Sequence, residues 1–196
     1  MIPTRFFRTV LILILIPASL ACSLFTSGPT PSQTDIEKEE QAVYAFFVSR
    51  NNGTAVILQN TSTGLGDETP RQSIENYKGS LSGISTETIE NYAQRNEQSS
   101  QLSADMQLGG DYVLLSEDEL REISSQGNWH EILQEKYPGS NGYLIFSRVG
   151  FNRTLDQAVI YVGEVAGPLM GAGFYYLLEK QDGEWTIIEQ TMVWIS

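Results

Sequence analysis

Residues 174–195 read FYYLLEKQDGEWTIIEQTMVWI, and this stretch decides the fold. Aromatic and β-branched residues dominate its two halves, 174–180 and 184–195, which is typical of β-strands. Gln181-Asp182-Gly183 lies between the halves and has the composition of a tight hairpin turn. The stretch therefore predicts two long antiparallel strands at the end of the chain.

Two more strand-like runs precede this hairpin, at 142–151 and 157–163. The first run is followed by Asn152-Arg153-Thr154, and a glycine-rich stretch, Gly167–Gly173, stands ahead of the hairpin. Spacers this short require antiparallel neighbours, because a parallel connection needs a crossover of a dozen or more residues. The last third of the chain is thus predicted to form a four-stranded antiparallel meander.

Helical patterns lie mainly ahead of these strands. A capping box, Thr34-Asp35-Ile36-Glu37, predicts a helix up to Ser49, although the apolar run 42–48 also fits a strand. The sequence then predicts, in order, a strand at 54–59, a long loop at 60–84, a helix from Ser85 to Arg95, a strand at 112–115, a helix capped by Ser116-Glu117-Asp118-Glu119, and a helix around Trp129 that Tyr137-Pro138-Gly139 ends. Helices gathered before an antiparallel sheet indicate an α+β domain, with N-terminal helices packed on the meander. An NTF2-like cone is one way to pack such parts, by fold analogy alone.

Four segments of the C-terminal third form a further pattern: Phe146–Asn152, Gln157–Gly163, Gly173–Lys180 and Trp194-Ile195-Ser196. On these segments the chain resembles a family of uncharacterised exported bacterial proteins. The resemblance covers roughly the last 55 residues and implies the same meander, but it implies no activity.

The N-terminus has the features of a secretory signal, which we assign to residues 1–21. Arg5 and Arg8 precede a mainly apolar stretch of 12 residues, 9–20, which is shorter than the roughly 20 that a membrane-spanning helix needs. Small residues follow and end at Cys22, the one cysteine of the chain.

Ser19-Leu20-Ala21-Cys22 resembles the lipobox of bacterial lipoproteins, in which the cysteine is diacylated and becomes the first mature residue. It departs from the strongest form, because Ser19 occupies the place where leucine is usual. Two acyl chains anchor a protein firmly, whereas one binds membranes only marginally. The alternative is ordinary cleavage near Ala21, which leaves a free thiol on a soluble exported protein. Residues 22–34 are rich in Ser, Thr, Pro and Gly and are predicted to be a flexible tether to a domain at 35–196.

The charge balance argues against several classes of partner. The chain has 24 acidic and 12 basic residues, a net charge of −12. Removal of Arg5 and Arg8 with the signal peptide makes it −14. Such a chain repels phosphate backbones, so we expect no nucleic-acid partner. One cysteine and one histidine leave no disulfide framework and no Cys- or His-rich zinc site, and we expect no metal and no cofactor.

Chemical motifs are weak along the whole chain. His130-Glu131 begins like H-E-x-x-H, but position 134 is Gln. The Gly167–Gly173 stretch lacks the spacing of a phosphate-binding loop and precedes a strand, so a wide turn explains it. Glu117-Asp118-Glu119 is explained by helix capping rather than by calcium.

Arg148 is the candidate site residue. It lies in a predicted strand of a chain poor in basic residues, so an inward side chain needs an acid such as Glu164 or Glu179, or a ligand anion. Four tyrosines of the predicted sheet either line a cavity or are ordinary half-buried aromatics: Tyr143, Tyr161, Tyr175 and Tyr176.

These observations favour a lipid-anchored, non-catalytic binding or accessory module on the extracytoplasmic face of a bacterial membrane, with the membrane and an envelope protein as partners. The alternative is a hydrolase whose site uses acidic residues, recognisable by a carboxyl pair with a raised pKa in an apolar pocket. A purely structural envelope component is the third reading.

Overall fold

The computed structural model describes residues 30–196, so the predicted signal peptide, Cys22 and most of the predicted tether lie outside the described residues. The described residues form a mixed α+β fold around one seven-stranded sheet. In chain order its strands are β1 (Ala55–Leu58), β2 (Tyr112–Leu115), β3 (Tyr143–Phe146), β4 (Gly150–Phe151), β5 (Gln157–Gly167), β6 (Met170–Gln181) and β7 (Glu184–Ile195).

The strand order across the sheet is β2-β1-β3-β5-β6-β7, and β4 also pairs with β5. The pairs from β3 to β7 are antiparallel, whereas β1 pairs in parallel with both β2 and β3. The sheet is therefore larger than the four strands predicted from the sequence. Parallel pairing of β1 is allowed because helices bridge the long connections that lead to β2 and β3.

The predicted strand at 142–151 is wrong in one respect, because it divides into β3 and β4. Between them, the Arg148 and Val149 N–H groups donate to the side chains of Asn96, at 2.8 Å, and Glu40, at 3.0 Å. These two backbone groups are thereby satisfied by a helix side chain, that of Glu40, and by the side chain of Asn96, which follows a helix, instead of by a neighbouring strand.

The helices of the described residues are α1 (Gln33–Ser49), α2 (Pro70–Tyr77), α3 (Thr86–Arg95), α4 (Glu117–Ser124) and α5 (Trp129–Lys136), with a short 3₁₀ turn at Lys78–Ser80. The predicted helices after Ser85 and Ser116 and around Trp129 are confirmed, and so is the helical reading of 42–48.

Two helix predictions need correction. Helix α1 begins two residues earlier than predicted, because Ser32 and Asp35 form the capping box in place of Thr34 and Glu37. The predicted loop at 60–84 contains α2, which Thr69 and Gln72 cap reciprocally, with Pro70 in the first turn.

Helix packing places the sheet between two layers. Helix α1 covers one face, where Phe47 packs on Phe146 and Tyr176. Helices α2 and α3 cover the opposite face, where Tyr92 packs on Tyr175. Alternate side chains of β6 pack into the two cores, because successive side chains of a strand point to opposite faces of the sheet. Within residues 30–196, no helix combines the length and apolar character needed to cross a bilayer.

Candidate functional site

Arg148 lies in the break between β3 and β4 and reaches α1. Its Nε donates to Glu40 Oε1 and its Nη2 to Glu40 Oε2, each at 2.8 Å. This two-pronged geometry is the strongest form of an arginine–carboxylate pair. The prediction that Arg148 pairs with Glu164 or Glu179 is wrong. Its partner is Glu40, which precedes it by 108 residues.

Glu40 gathers several groups into a buried cluster. Arg95 Nη2 lies 2.9 Å from Glu40 Oε2 as an ionic contact, and the Tyr44 hydroxyl donates to Oε1 at 3.2 Å. The side chain of Glu40 is 8% exposed and that of Arg95 is 11% exposed. Burial raises the pKa of Glu40, but the hydrogen bond from Arg148 and the charges of the two arginines outweigh it and lower the pKa overall.

The cluster holds two arginines against one carboxylate, so its charges are not fully matched. Arg148 nevertheless has no guanidinium nitrogen left for a ligand anion, because Nε and Nη2 donate to Glu40 and Nη1 donates to Ser100 Oγ at 3.3 Å. It joins α1, α3 and the strand break, and Asn96 completes it by accepting from the Arg148 N–H and donating to the Arg148 carbonyl at 3.0 Å. The arrangement can hold elements together, but it offers neither an open cavity nor a proton donor at neutral pH.

A cleft of about 360 Å³ opens on the sheet beside the C-terminal end of α1. It is the size of a small-molecule site, for which 300–1,000 Å³ is typical. Its lining combines Phe47 of α1 and the sheet residues Val56, Leu144, Val162, Tyr176 and Ile187. Polar side chains stand at the rim: Arg50, Asn51, Asn141, Glu164 and Gln190.

Tyr176 provides the polar group on the floor of the cleft. It is 8% exposed, its ring packs 5.0 Å from that of Phe47, and its hydroxyl makes no hydrogen bond within residues 30–196. Burial raises its pKa to about 12, with the charge of Glu164 adding to the rise and that of Arg50 opposing it. The hydroxyl therefore stays protonated and can donate to a ligand.

Of the other three tyrosines, only Tyr143 reaches the cleft. Tyr161 and Tyr175 pack in the core on the opposite face of the sheet. There the Tyr161 hydroxyl accepts from Trp194 Nε1 at 2.8 Å, and the Tyr175 hydroxyl is 2.7 Å from Ser73 Oγ. Tyr143 and Tyr176 therefore line the cleft, and Tyr176 is also part of the core under α1.

Arg50 and Glu164 bring opposite charges to the rim of the cleft. Arg50 follows the last residue of α1, and its guanidinium carbon lies 5.2 Å from the centre of the Phe46 ring. Glu164 lies on β5, opposite Leu144 of β3. Both are exposed, and within the described part of the chain neither has an ion-pair partner within 4.0 Å.

The remaining sequence candidates lie outside this cleft. His130 is half-buried on α5 and stacks edge-on against Trp129 at 5.8 Å. The Gly167–Gly173 stretch turns β5 into β6, and Glu117-Asp118-Glu119 forms the first turn of α4. In residues 30–196 no three His, Cys, Asp or Glu side chains are grouped so that they could hold a metal ion.

Comparison with protein families, with curated proteins and with solved structures gives no significant match to this chain.

Proposed function

We propose that this protein is a lipid-anchored, non-catalytic binding module on the extracytoplasmic face of a bacterial membrane, and that the cleft is its ligand site. The lipobox-like Ser19-Leu20-Ala21-Cys22 supports the anchor, with Cys22 as the diacylated residue. Membrane contact through two acyl chains does not need a basic surface, so it is compatible with the net negative charge.

The observation that carries the proposal is the position of the cleft relative to the tether. The chain enters the domain at Gln33, whereas the cleft lies past Ser49 at the other end of α1. A helix of 17 residues is about 25 Å long. A domain tethered through Gln33 can therefore present the cleft away from the bilayer, where a ligand outside the membrane reaches it.

The hydrolase alternative requires a carboxyl group that stays protonated in the site. The carboxyl groups whose pKa is lowered, by hydrogen bonds and neighbouring cations, all lie outside the cleft: Asp35, Glu40, Asp105, Glu119 and Asp156. Glu164, the acid of the cleft, is exposed, and the other charged residue of the lining is a cation, Arg50, rather than a second acid. These features favour binding over acid catalysis.

The finer fold predictions belong to this proposal as well. We expect the C-terminal strands to act as a meander that supports the cleft. An NTF2-like arrangement stays a prediction from analogy.

A ligand screen with a blocked cleft tests the binding function. The full chain is screened in detergent against small molecules by thermal shift, beside Gln190→Trp, which places an indole at the rim. Thr186→Trp is the matched control, because Thr186 is also exposed on β7 but does not line the cleft. We expect ligands that stabilise the wild type and the control but not Gln190→Trp. Ligands that act equally on all three proteins would contradict the assignment of the cleft.

An envelope protein partner is the second candidate, favoured by exposed apolar side chains at the turn between β5 and β6. Leu169 is 82% exposed and Met170 is 60% exposed. A partner that docks there would form a complex in solubilised native membranes that Leu169→Ser dissociates and Gln190→Trp leaves intact. The opposite sensitivity would favour the cleft.

A further inference from the structure

We propose that the cleft takes a small zwitterion with an apolar side group, the chemical class of an apolar α-amino acid. This inference rests on the proposed binding function and adds the ligand class. In the proposed pose, Arg50 binds the carboxylate, Glu164 binds the ammonium group, and the apolar group lies on the sheet.

Arg50 is distinguished among the arginines of the described residues by its lack of an acidic partner. The other five arginines in residues 30–196 each pair with a carboxylate: Arg71, Arg95, Arg121, Arg148 and Arg153. In a chain with twice as many acidic as basic residues, a guanidinium without a carboxylate is available for one from outside. Its planar fork of donors matches a carboxylate better than any other side chain does.

Tyr176 is the second observation that points to a ligand. The residue is 8% exposed and lines the cleft, and its hydroxyl makes no hydrogen bond in the described part of the chain. The hydroxyl is not fully enclosed by protein, so it can donate to a group of a ligand bound in the cleft. Tyr176 lines the same cleft as the two charged residues of the rim, Arg50 and Glu164.

The opposite charges at the rim select a zwitterion over an anion. Arg50 and Glu164 line the same cleft but are not within 4.0 Å of each other, so each is free to bind its own ligand group. A net anion would meet Glu164 and the overall charge of −12, whereas a zwitterion carries no net charge. Val162 and Leu144 form an apolar floor that suits an apolar side group.

Three probes that share the phenylalanine side chain test the ligand class on the full chain in detergent. Isothermal titration compares L-phenylalanine, a zwitterion, with N-acetyl-L-phenylalanine, an anion, and L-phenylalanine amide, a cation. We expect the zwitterion to bind at least about tenfold more tightly than either, because each of the others lacks one charged hydrogen bond. Equal affinities for the three, or binding of none, would overturn the proposal.

Charge variants with matched controls assign the two contacts. Arg50→Gln is expected to weaken L-phenylalanine binding at least about tenfold, and Lys38→Gln, a cation elsewhere on α1, to leave it unchanged. Glu164→Gln is expected to remove the preference for L-phenylalanine over its N-acetyl form. Glu135→Gln, on α5, is the matched control and is expected to retain that preference. An Arg50→Gln protein that binds as the wild type does would refute the carboxylate contact.

The failure of this inference is distinguishable from the failure of the proposed function. If L-phenylalanine does not bind but the screen yields ligands that Gln190→Trp excludes, the cleft remains a binding site and only the zwitterion class is wrong. If no ligand depends on the cleft, the binding function itself is contradicted.

Discussion

Loss of the Glu40 carboxylate tests the account of how α1 is fixed to the sheet. Glu40→Gln keeps the size of the side chain but removes its charge. Arg148 and Arg95, whose side chains are 23% and 11% exposed, then lose their shared counter-charge. We expect the variant to fold less stably, with α1 held less firmly over the core.

The magnitude follows from the geometry. Removing one member of a buried pair costs about 3–5 kcal/mol, because it leaves an uncompensated charge in the interior. Partial exposure of Arg148 reduces the cost, and the second buried arginine increases it, so about 3 kcal/mol is a reasonable expectation. Since domains of this kind are stable by only about 5–15 kcal/mol, such a loss is easily measured.

Urea unfolding of the full chain at pH 7 in a denaturation-compatible detergent, followed by tryptophan fluorescence, provides the assay. Glu37→Gln is the matched control, because Glu37 is exposed on the same helix and acts on Arg148 only through its charge, without a hydrogen bond or an ion pair to the cluster. The midpoint of Glu40→Gln should fall markedly with an unchanged slope, and that of Glu37→Gln should shift little. A loss of less than about 1 kcal/mol for Glu40→Gln would refute the reasoning, because it would mean that the arginines are solvated rather than buried.

Two further predictions concern pH and close packing. The folded state lowers the pKa of Glu40 below its ordinary 4.5, so the contribution of its charge to stability should be fully present above pH 4.5 and be lost as the pH falls through the folded-state pKa. The difference in unfolding free energy between the wild type and Glu40→Gln should therefore close in acid. A difference that widens in acid would contradict the lowered pKa. Gly150→Ala should destabilise the protein by about 1–3 kcal/mol, because a Cβ there would lie 2.6 Å from Tyr92 Cα. Gly79→Ala, with open space around the new Cβ, should leave the stability unchanged. Equal urea midpoints for the two variants would contradict this prediction, because they would mean that the backbone shifts to accommodate the Cβ at position 150.

Local signals in the sequence were sufficient for much of the fold. Alternating apolar residues and the Gln181-Asp182-Gly183 turn predicted β6 and β7, and Ser85 marked the start of α3. Helix α2 also had a local signal, the Thr69-Pro70 start with Gln72, which the surrounding polar residues obscured. These features depend on contacts within a few residues, which a single sequence records.

Long-range pairing could not be predicted in the same way. The parallel contact of β1 with β3 depends on packing between segments far apart in the chain. The same holds for Arg148, whose need for an acid was evident from its setting but whose partner, Glu40, lies on the first helix. Arg50 had no sequence signal at all, because only the folded structure shows that it lacks a carboxylate and lines a cleft.

The intact mass and membrane partitioning of the mature protein test the central claim most directly. The full chain is expressed with its own leader in a bacterium, beside Cys22→Ser. The account predicts a mature wild-type chain that begins at a diacylated Cys22 and remains with the membrane, and a serine variant that carries no lipid and leaves the membrane. An unlipidated, soluble product from both the wild type and Cys22→Ser would contradict the lipid-anchored module.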